Sequence, residues 1–321
     1  MPRKRTVISG IIILLLLAIM IFSITQMLNT KYPSGEEDGE SKTIIRNGIK
    51  YFPKQDIDVI LFMGIDKNGP VQDSGSYNND GEADMVSLLL FNESDKTYSV
   101  LVLNRDTILQ MPTLGIGGKY AGKTTAQLAL SHTYGSGLAD SCENTKKTVS
   151  DFLYGLEIDY YVSLNMDAVE IINDAVGGVE VNVIDDFPQE TGIQKGKFRL
   201  EGKQALEFVR ARKDVGDQFN TSRMERHKEY MKGFMDALDA KLDSGESFIL
   251  DTYNEVSGYM VTDCSIDIFY TLASQYSDYQ FKEIISPEGE NLVSTKYMEF
   301  HIDEKKLDDL IIRLFYDEKE F

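Results

Sequence analysis

Hydrophobic residues are distributed along this chain in three regimes. An uncharged apolar run covers residues 7–28, directly behind Arg3, Lys4 and Arg5. A helix of about 20 apolar residues crosses a bilayer. Basic residues before the run and none directly after it predict a cytoplasmic N-terminus (1–6), a retained single-pass anchor (7–28) and everything beyond on the outer side. A cleaved signal peptide is the competing reading, but the run exceeds a usual signal core and no A-x-A-like site follows. Residues 29–55 turn polar, with Pro33, Gly35, Glu36, Glu37, Asp38, Gly39 and Glu40, and read as an extracellular linker.

From 56 onward, short apolar runs alternate with helical periodicity. Strands are predicted at 58–64, 85–91, 98–103, 159–164 and 179–184, and helices at 124–134, 144–156, 166–175 and 202–209. This alternation predicts an α/β domain over 56–242, with a mixed central β-sheet flanked by helices. Ser222 followed by Glu225 has capping-box spacing and predicts a helix starting near Arg223. Along it Met224, Met231, Phe234, Met235, Leu238 and Leu242 form a stripe read as core packing. Residues 243–321 are predicted to add a small α+β C-terminal extension (helices at 248–259, 266–276 and 305–315, a strand near 296–302) without visible chemistry.

Composition narrows the function. The chain has 321 residues, 42% hydrophobic and 26% charged, enough for one or two globular domains. Its net charge of -19 repels nucleic acid, and no helix-turn-helix signal is present. A basic cluster inside so acidic a chain therefore reads as a local site. Cys142 and Cys264 leave a disulfide and two free thiols both open. No internal repeat is visible.

The candidate chemistry sits at predicted strand ends, where ligands bind in open α/β sheets. Asp66 follows the first strand, and Arg105 and Asp106 follow the third. Asp84, at the start of the second, joins them on one rim if that strand runs antiparallel. Asp66 and Asp84 are the ligand type that a hard Mg²⁺ takes when phosphate supplies other oxygens. Arg210 and Arg212 are two apart and point the same way in an extended segment. Arg223 and His227 share a helical face. With Arg226, these arginines can clamp phosphate bidentately at a helix N-terminus. The pair Asp185 and Asp186 reads as turn residues.

The blocks DVILFMGID, GEADMV, LNRDT, AQLALSHTYGSG, IDYYVSLNMDAVEIINDAVGGVEVNV, G-x-x-x-LEGKQALEFVRAR and NTSRMERHKEY occur in that order between about 56 and 242. Together they resemble the LytR–CpsA–Psr family of cell-envelope proteins. The resemblance implies a mixed-sheet α/β fold with an apolar pocket for a lipid tail. It implies transfer of an anionic glycopolymer, such as teichoic acid or capsule, from polyprenyl diphosphate to peptidoglycan. Position by position, it implies that Asp84 and Asp66 place Mg²⁺, or Mn²⁺ in its stead. Arg105, Arg210 and Arg212 become catalytic cations, and Arg223 and Arg226 join them in binding the diphosphate. Asp106 is a candidate base or an orienting partner for Arg105, and His227 a candidate donor to a phosphate oxygen or an exposed helical histidine.

The chain departs from the family pattern at Glu82, Gln127, Asn220 and His227, where arginine, lysine, aspartate and glutamine are usual. These departures keep a non-catalytic glycopolymer- or lipid-binding protein in view. Hydrolysis of the diphosphate stays open as well, as does transcriptional regulation, a label the family has carried.

Overall fold

The computed structural model describes residues 43–318, apart from 212–214, 217–219, 243–246, 265–267, 269–270, 273–274, 277–278 and 295–296; of residues 239, 242 and 247–250 only the backbone is described. The predicted anchor lies outside the described residues, and no helix among them is long and apolar enough to cross a membrane.

A hairpin, β1 (Ile44–Arg46) and β2 (Ile49–Pro53), leads to the central strand β3 (Ile57–Ile65). Val59, Leu61 and Met63 on one face of β3 and Ile60 on the other are all buried. That two-sided burial is why its sequence reads as an unbroken apolar run. β4 (Ala83–Asn92) and β5 (Thr97–Leu103) continue the sheet as antiparallel neighbours. β6 (Ile108–Leu114) and β7 (Tyr120–Gln127) form a separate hairpin. The helix predicted at 124–134 is thus replaced by the end of β7 and a short 3₁₀ turn, Leu128–Ser131. Alternating exposure along β7 and the β-branched pair Thr124 and Thr125 match a strand paired to β6.

Next come α1 (Ala139–Phe152), β8 (Tyr160–Asn165), α2 (Asp167–Ala175), a hairpin of β9 (Val179–Val183) and β10 (Gly196–Leu200), α3 (Lys203–Arg210), α4 (Asn220–Leu242) and α5 (Ser247–Val256). The chain ends with β11 (Met260–Thr262), β12 (Gln280–Ile285), a hairpin of β13 (Gly289–Val293) and β14 (Met298–Ile302), α6 (Glu304–Phe315) and β15 (Tyr316–Glu318).

The central sheet has strand order β11-β8-β3-β4-β5-β12. β3 is parallel to β8, β12 is parallel to β5, and β4 and β11 run the opposite way. The predicted mixed sheet is therefore present, and β4 is antiparallel as the rim argument required. Both edge strands come from beyond residue 243, and β15 pairs with β2. The expected appended extension is instead woven into the domain's own sheet. Short edge strands such as β11, with no period of their own, give little signal before their partners are known.

α2, α3, α4 and α5 cover one face of the sheet, with Ala168, Phe208, Phe234 and Val256 in that core. α1 and α6 cover the other, with Val149, Leu307 and Ile311. Cys264 lies in the first core and Cys142 in the second, on opposite faces of the sheet, which is why they form no disulfide with each other. α4 crosses β9 so closely that a Cβ at Gly233 would meet the Glu180 carbonyl oxygen at 2.1 Å. Only glycine permits that approach.

Candidate functional site

The antiparallel course of β4 brings Asp66, Asp84, Arg105 and Asp106 to one rim of the sheet. Asp66 leaves the end of β3, with its N–H donated to the Glu82 carbonyl. Asp84 is the second residue of β4, and Arg105 and Asp106 follow β5. Asp84 is buried between two guanidiniums: Arg105 Nη1 meets its Oδ1, and Arg223 Nη1 donates to its Oδ2 at 2.8 Å. Arg105 also donates through Nη2 to Glu82 Oε2, and its Nε stands 3.4 Å from Asp106 Oδ1. Arg210 reaches Asp66 at 2.9 Å in a half-exposed pair.

Arg223 sits in the first turn of α4, which begins at Asn220 rather than beside Arg223. Ser222 is therefore already helical, and the capping-box reading gives way to a different anchor. Asn220 Oδ1 accepts from Arg223 Nε (2.9 Å) and Nη2 (2.6 Å), and Asn220 Nδ2 donates to Asn104 Oδ1 at 2.8 Å. This chain of amides ties the helix start to the loop that carries Arg105. Arg210 is the last residue of α3, so its segment is helical rather than extended. Arg212 lies outside the described residues.

Beneath this rim opens an apolar cavity of about 120 Å³. Its walls are Phe62, Leu89, Val100, Leu164, Val169, Ile172, Tyr230, Met231, Phe234 and Met235, and Asp84, Arg210, Arg223 and His227 stand among them. The stripe on α4 read as core packs as core: Met224, Phe234, Met235 and Leu238 are buried in the cluster and Met231 packs against it, while Met231, Phe234 and Met235 also line the cavity.

Two site expectations are corrected. Arg226 faces away from the cavity: it donates to Asp185 Oδ2 at 2.6 Å, to the Phe208 carbonyl at 3.0 Å and to the Ala211 carbonyl. It pins the end of α3, and so aims Arg210. Asp185, read as a turn residue, is its charge partner. We expect Arg226→Ala to leave that carboxylate unpaired and to cost about 3–5 kcal/mol in urea unfolding, the usual scale for halving a buried pair. Arg226→Lys should recover only part of it, because an ammonium cannot reproduce the fork.

His227 is buried, not exposed. Burial, reinforced by Arg223, lowers its pKa to about 3. The neutral ring's Nε2 sits 2.9 Å from the Val209 carbonyl, which takes its one N–H. It therefore has no proton left to offer a phosphate oxygen. Its loss of charge also follows from Arg223 standing one helical turn away.

Asp106 is fully buried, and Gln127 Nε2 donates to its Oδ1 at 2.8 Å and to the Met298 carbonyl at 2.7 Å. Gln127 thus links Asp106 to the β13–β14 hairpin. Phe300 of that hairpin donates its N–H to the Asp106 carbonyl at 2.8 Å. The C-terminal residues, expected to carry no chemistry, brace Asp106 through the Met298 carbonyl and the Phe300 N–H. Nothing in their local sequence signalled this, because the contact is made by backbone groups.

A profile of the LytR_cpsA_psr family matches residues 19–314. The chain belongs to the LytR_cpsA_psr family. It is 28% identical over 278 residues to the Enterococcus faecalis polyisoprenyl-teichoic acid–peptidoglycan teichoic acid transferase TagU, covering 84% of this chain and 82% of TagU. It is 28% identical over 210 residues to the Bacillus subtilis transferase TagV, but those residues span only 48% of TagV and 62% of this chain. The crystal structure of B. subtilis TagV superposes with a TM-score of 0.61 at 24% identity, covering 81% of this chain and 96% of that one. The shared architecture is thus that of solved TagV, and both sequence relatives are named as transferases.

Proposed function

We propose that this family member is a membrane-anchored phosphotransferase. It moves a phosphate-linked glycopolymer from polyprenyl diphosphate to peptidoglycan at the outer face of the membrane. The observation that carries the reading is the apolar cavity with Asp84, Arg210 and Arg223 at its mouth. A polyprenyl tail fits the apolar walls, and its diphosphate then lies against the guanidiniums. The names of the transferase relatives support the same chemistry.

In the reaction, a peptidoglycan hydroxyl attacks the phosphorus on the glycan side. The bond from that phosphorus to the bridging oxygen breaks, polyprenyl phosphate leaves with the electron pair, and the hydroxyl's proton passes to water or to the departing phosphate. Arg210 and Arg223 offset the charge that gathers on the leaving phosphate. Asp106, buried against Arg105 Nε and Gln127, positions Arg105 in this reading rather than taking the hydroxyl proton.

The carboxylates of Asp66, Glu82, Asp84 and Asp106 outnumber the described guanidiniums of Arg105, Arg210 and Arg223. A divalent cation arriving with the diphosphate would restore the balance. Among the described residues no group of three metal-ligating side chains converges. The donors therefore fit Mg²⁺ as one or two carboxylates, Asp84 foremost with Asp66, completing an ion already held by phosphate oxygens. Bound there, Mg²⁺ would supply Lewis-acid neutralisation of the diphosphate.

The test is transfer of glycan from a polyprenyl-diphosphate donor to peptidoglycan oligomers by the purified protein. Val169→Trp, which fills the cavity, is expected to lower transfer at least about tenfold through tail binding while the melting temperature holds, since cavities accept added volume better than packed cores do. Unchanged transfer by Val169→Trp would remove the lipid tail from the cavity. Free glycan released without linkage to peptidoglycan would mark a hydrolase.

A further inference from the structure

Arg105 is surrounded by acids. Its Nη2 meets Glu82, its Nη1 meets Asp84, and its Nε faces Asp106. Even with Arg223 on Asp84, two guanidiniums among three carboxylates leave excess negative charge in a confined space. A phosphate oxygen cannot take Nη2 while a carboxylate occupies it, because like charges repel strongly where water is sparse.

The three acids are not equivalent. The side chains of Asp106 and Asp84 are 1% and 8% exposed. Each is held by a further partner: Gln127 on Asp106 and Arg223 on Asp84. Glu82 is 38% exposed, and among the described residues its carboxylate is held by Arg105. It lies two residues before Asp84, where β4 opens with a bulge against β3, and both side chains reach the same guanidinium. Glu82 is thus the one acid that can swing into solvent without uncovering a buried charge.

Position adds the second half of the argument. Asp84, Arg210 and Arg223 line the cavity mouth, whereas Arg105 stands behind Asp84 and is not part of the cavity wall. A lipid monophosphate with its tail in the cavity reaches only the mouth. A lipid diphosphate extends one phosphate further, toward Arg105.

We propose that Glu82 is a specificity-determining residue that occupies the seat of the second phosphate on Arg105 and is displaced from it by a lipid diphosphate. This rests on the reading that the lipid tail enters the cavity. Glu82 weakens diphosphate binding, and it re-covers Arg105 once the product left in the cavity carries a single phosphate.

The experiment is titration calorimetry of the purified protein with farnesyl diphosphate and farnesyl monophosphate in the presence of a chelator. Glu82→Gln should bind the diphosphate about tenfold more tightly, the scale of one charged hydrogen bond, and the monophosphate unchanged. Glu82→Asp, whose shorter arm withdraws the carboxylate, should shift in the same direction. On an Arg105→Ala background, Glu82→Gln should gain nothing, because its effect runs through that guanidinium. An unchanged diphosphate affinity in Glu82→Gln overturns the proposal. So does an equal gain for both ligands, or a gain that persists without Arg105. Failure of every form, wild type included, to bind either ligand overturns the cavity reading and this inference with it.

Discussion

Arg105→Ala should reduce glycan transfer by at least about 100-fold, in line with removal of one pre-positioned charge donor from a transfer site. The expected loss falls on kcat more than on KM. Arg210 and Arg223 at the cavity mouth still hold the lipid phosphate, while charge on the transferring phosphate goes uncompensated. Arg105→Lys should lie between, since an ammonium keeps the charge but cannot span Glu82, Asp84 and Asp106 at once. The alanine variant also leaves Asp84 and Asp106 buried without their shared cation, so a melting curve must accompany the kinetics. Arg223 still pairs with Asp84, and Gln127 still caps Asp106, which keeps that carboxylate pair in place. Transfer at the wild-type rate by a folded Arg105→Ala protein would leave the site's chemistry without a centre. It would favour the non-catalytic binder that the departures at Glu82 and Gln127 keep in view.

The parts of this molecule that are legible in its sequence are those where one residue's neighbours decide its state. β3, β4, β5 and β8 stand out because burial on both faces forces an unbroken apolar run. Asp66, Asp84 and Arg105 fall on one rim as expected, because strand direction alone settles it. The segment 124–127 behaves differently. Its helical look is local, whereas its strand state is imposed by pairing with β6. β11 and β12 escape a sequence reading for the same reason, being short edges whose identity depends on β8 and β5.

Side-chain direction is the second limit. Arg223 and Arg226 are equally basic and one helical turn apart, yet Arg223 turns to Asp84 and Arg226 to Asp185. The spacing R-x-x-R fixes their separation, not which way the helix is rolled. That roll comes from Gly233 seated on β9 and from Met224 and Leu238 in the core. The same roll brings Met231, Phe234 and Met235 into the cavity wall. An apolar stripe is identical in sequence whether it meets other side chains or a lipid.

The protein should lose about 3 kcal/mol of stability between pH ~6.5 and ~5, through two histidines it keeps neutral. Burial lowers His227 to about 3 and His132 to about 4. In the unfolded chain both titrate near the ordinary value of 6.5. As pH falls below that value the unfolded state takes up protons that the folded state refuses, so unfolding is favoured. Each ring contributes up to about 1.4 kcal/mol per pH unit in this window. The effect is fully absent above the unfolded value and grows until the folded rings themselves protonate. His132 is held by its Nδ1 contact to the Gly81 carbonyl at 2.8 Å, beside the loop that carries Glu82. Asp159, Asp263 and Glu143, whose pKa values burial raises, act in the opposite sense at the acid end, because the folded state then gains protons first. The slope should therefore steepen from neutrality to about pH 5, midway between the unfolded and folded values of the two rings, and flatten on further acidification. Urea unfolding across this range checks the slope. His227→Gln should remove about half of it, since glutamine can donate to the Val209 carbonyl without a titrating group. A slope identical to wild type in that variant would mean that the ring is already protonated in its pocket, and that Arg223 tolerates a second cation one turn away.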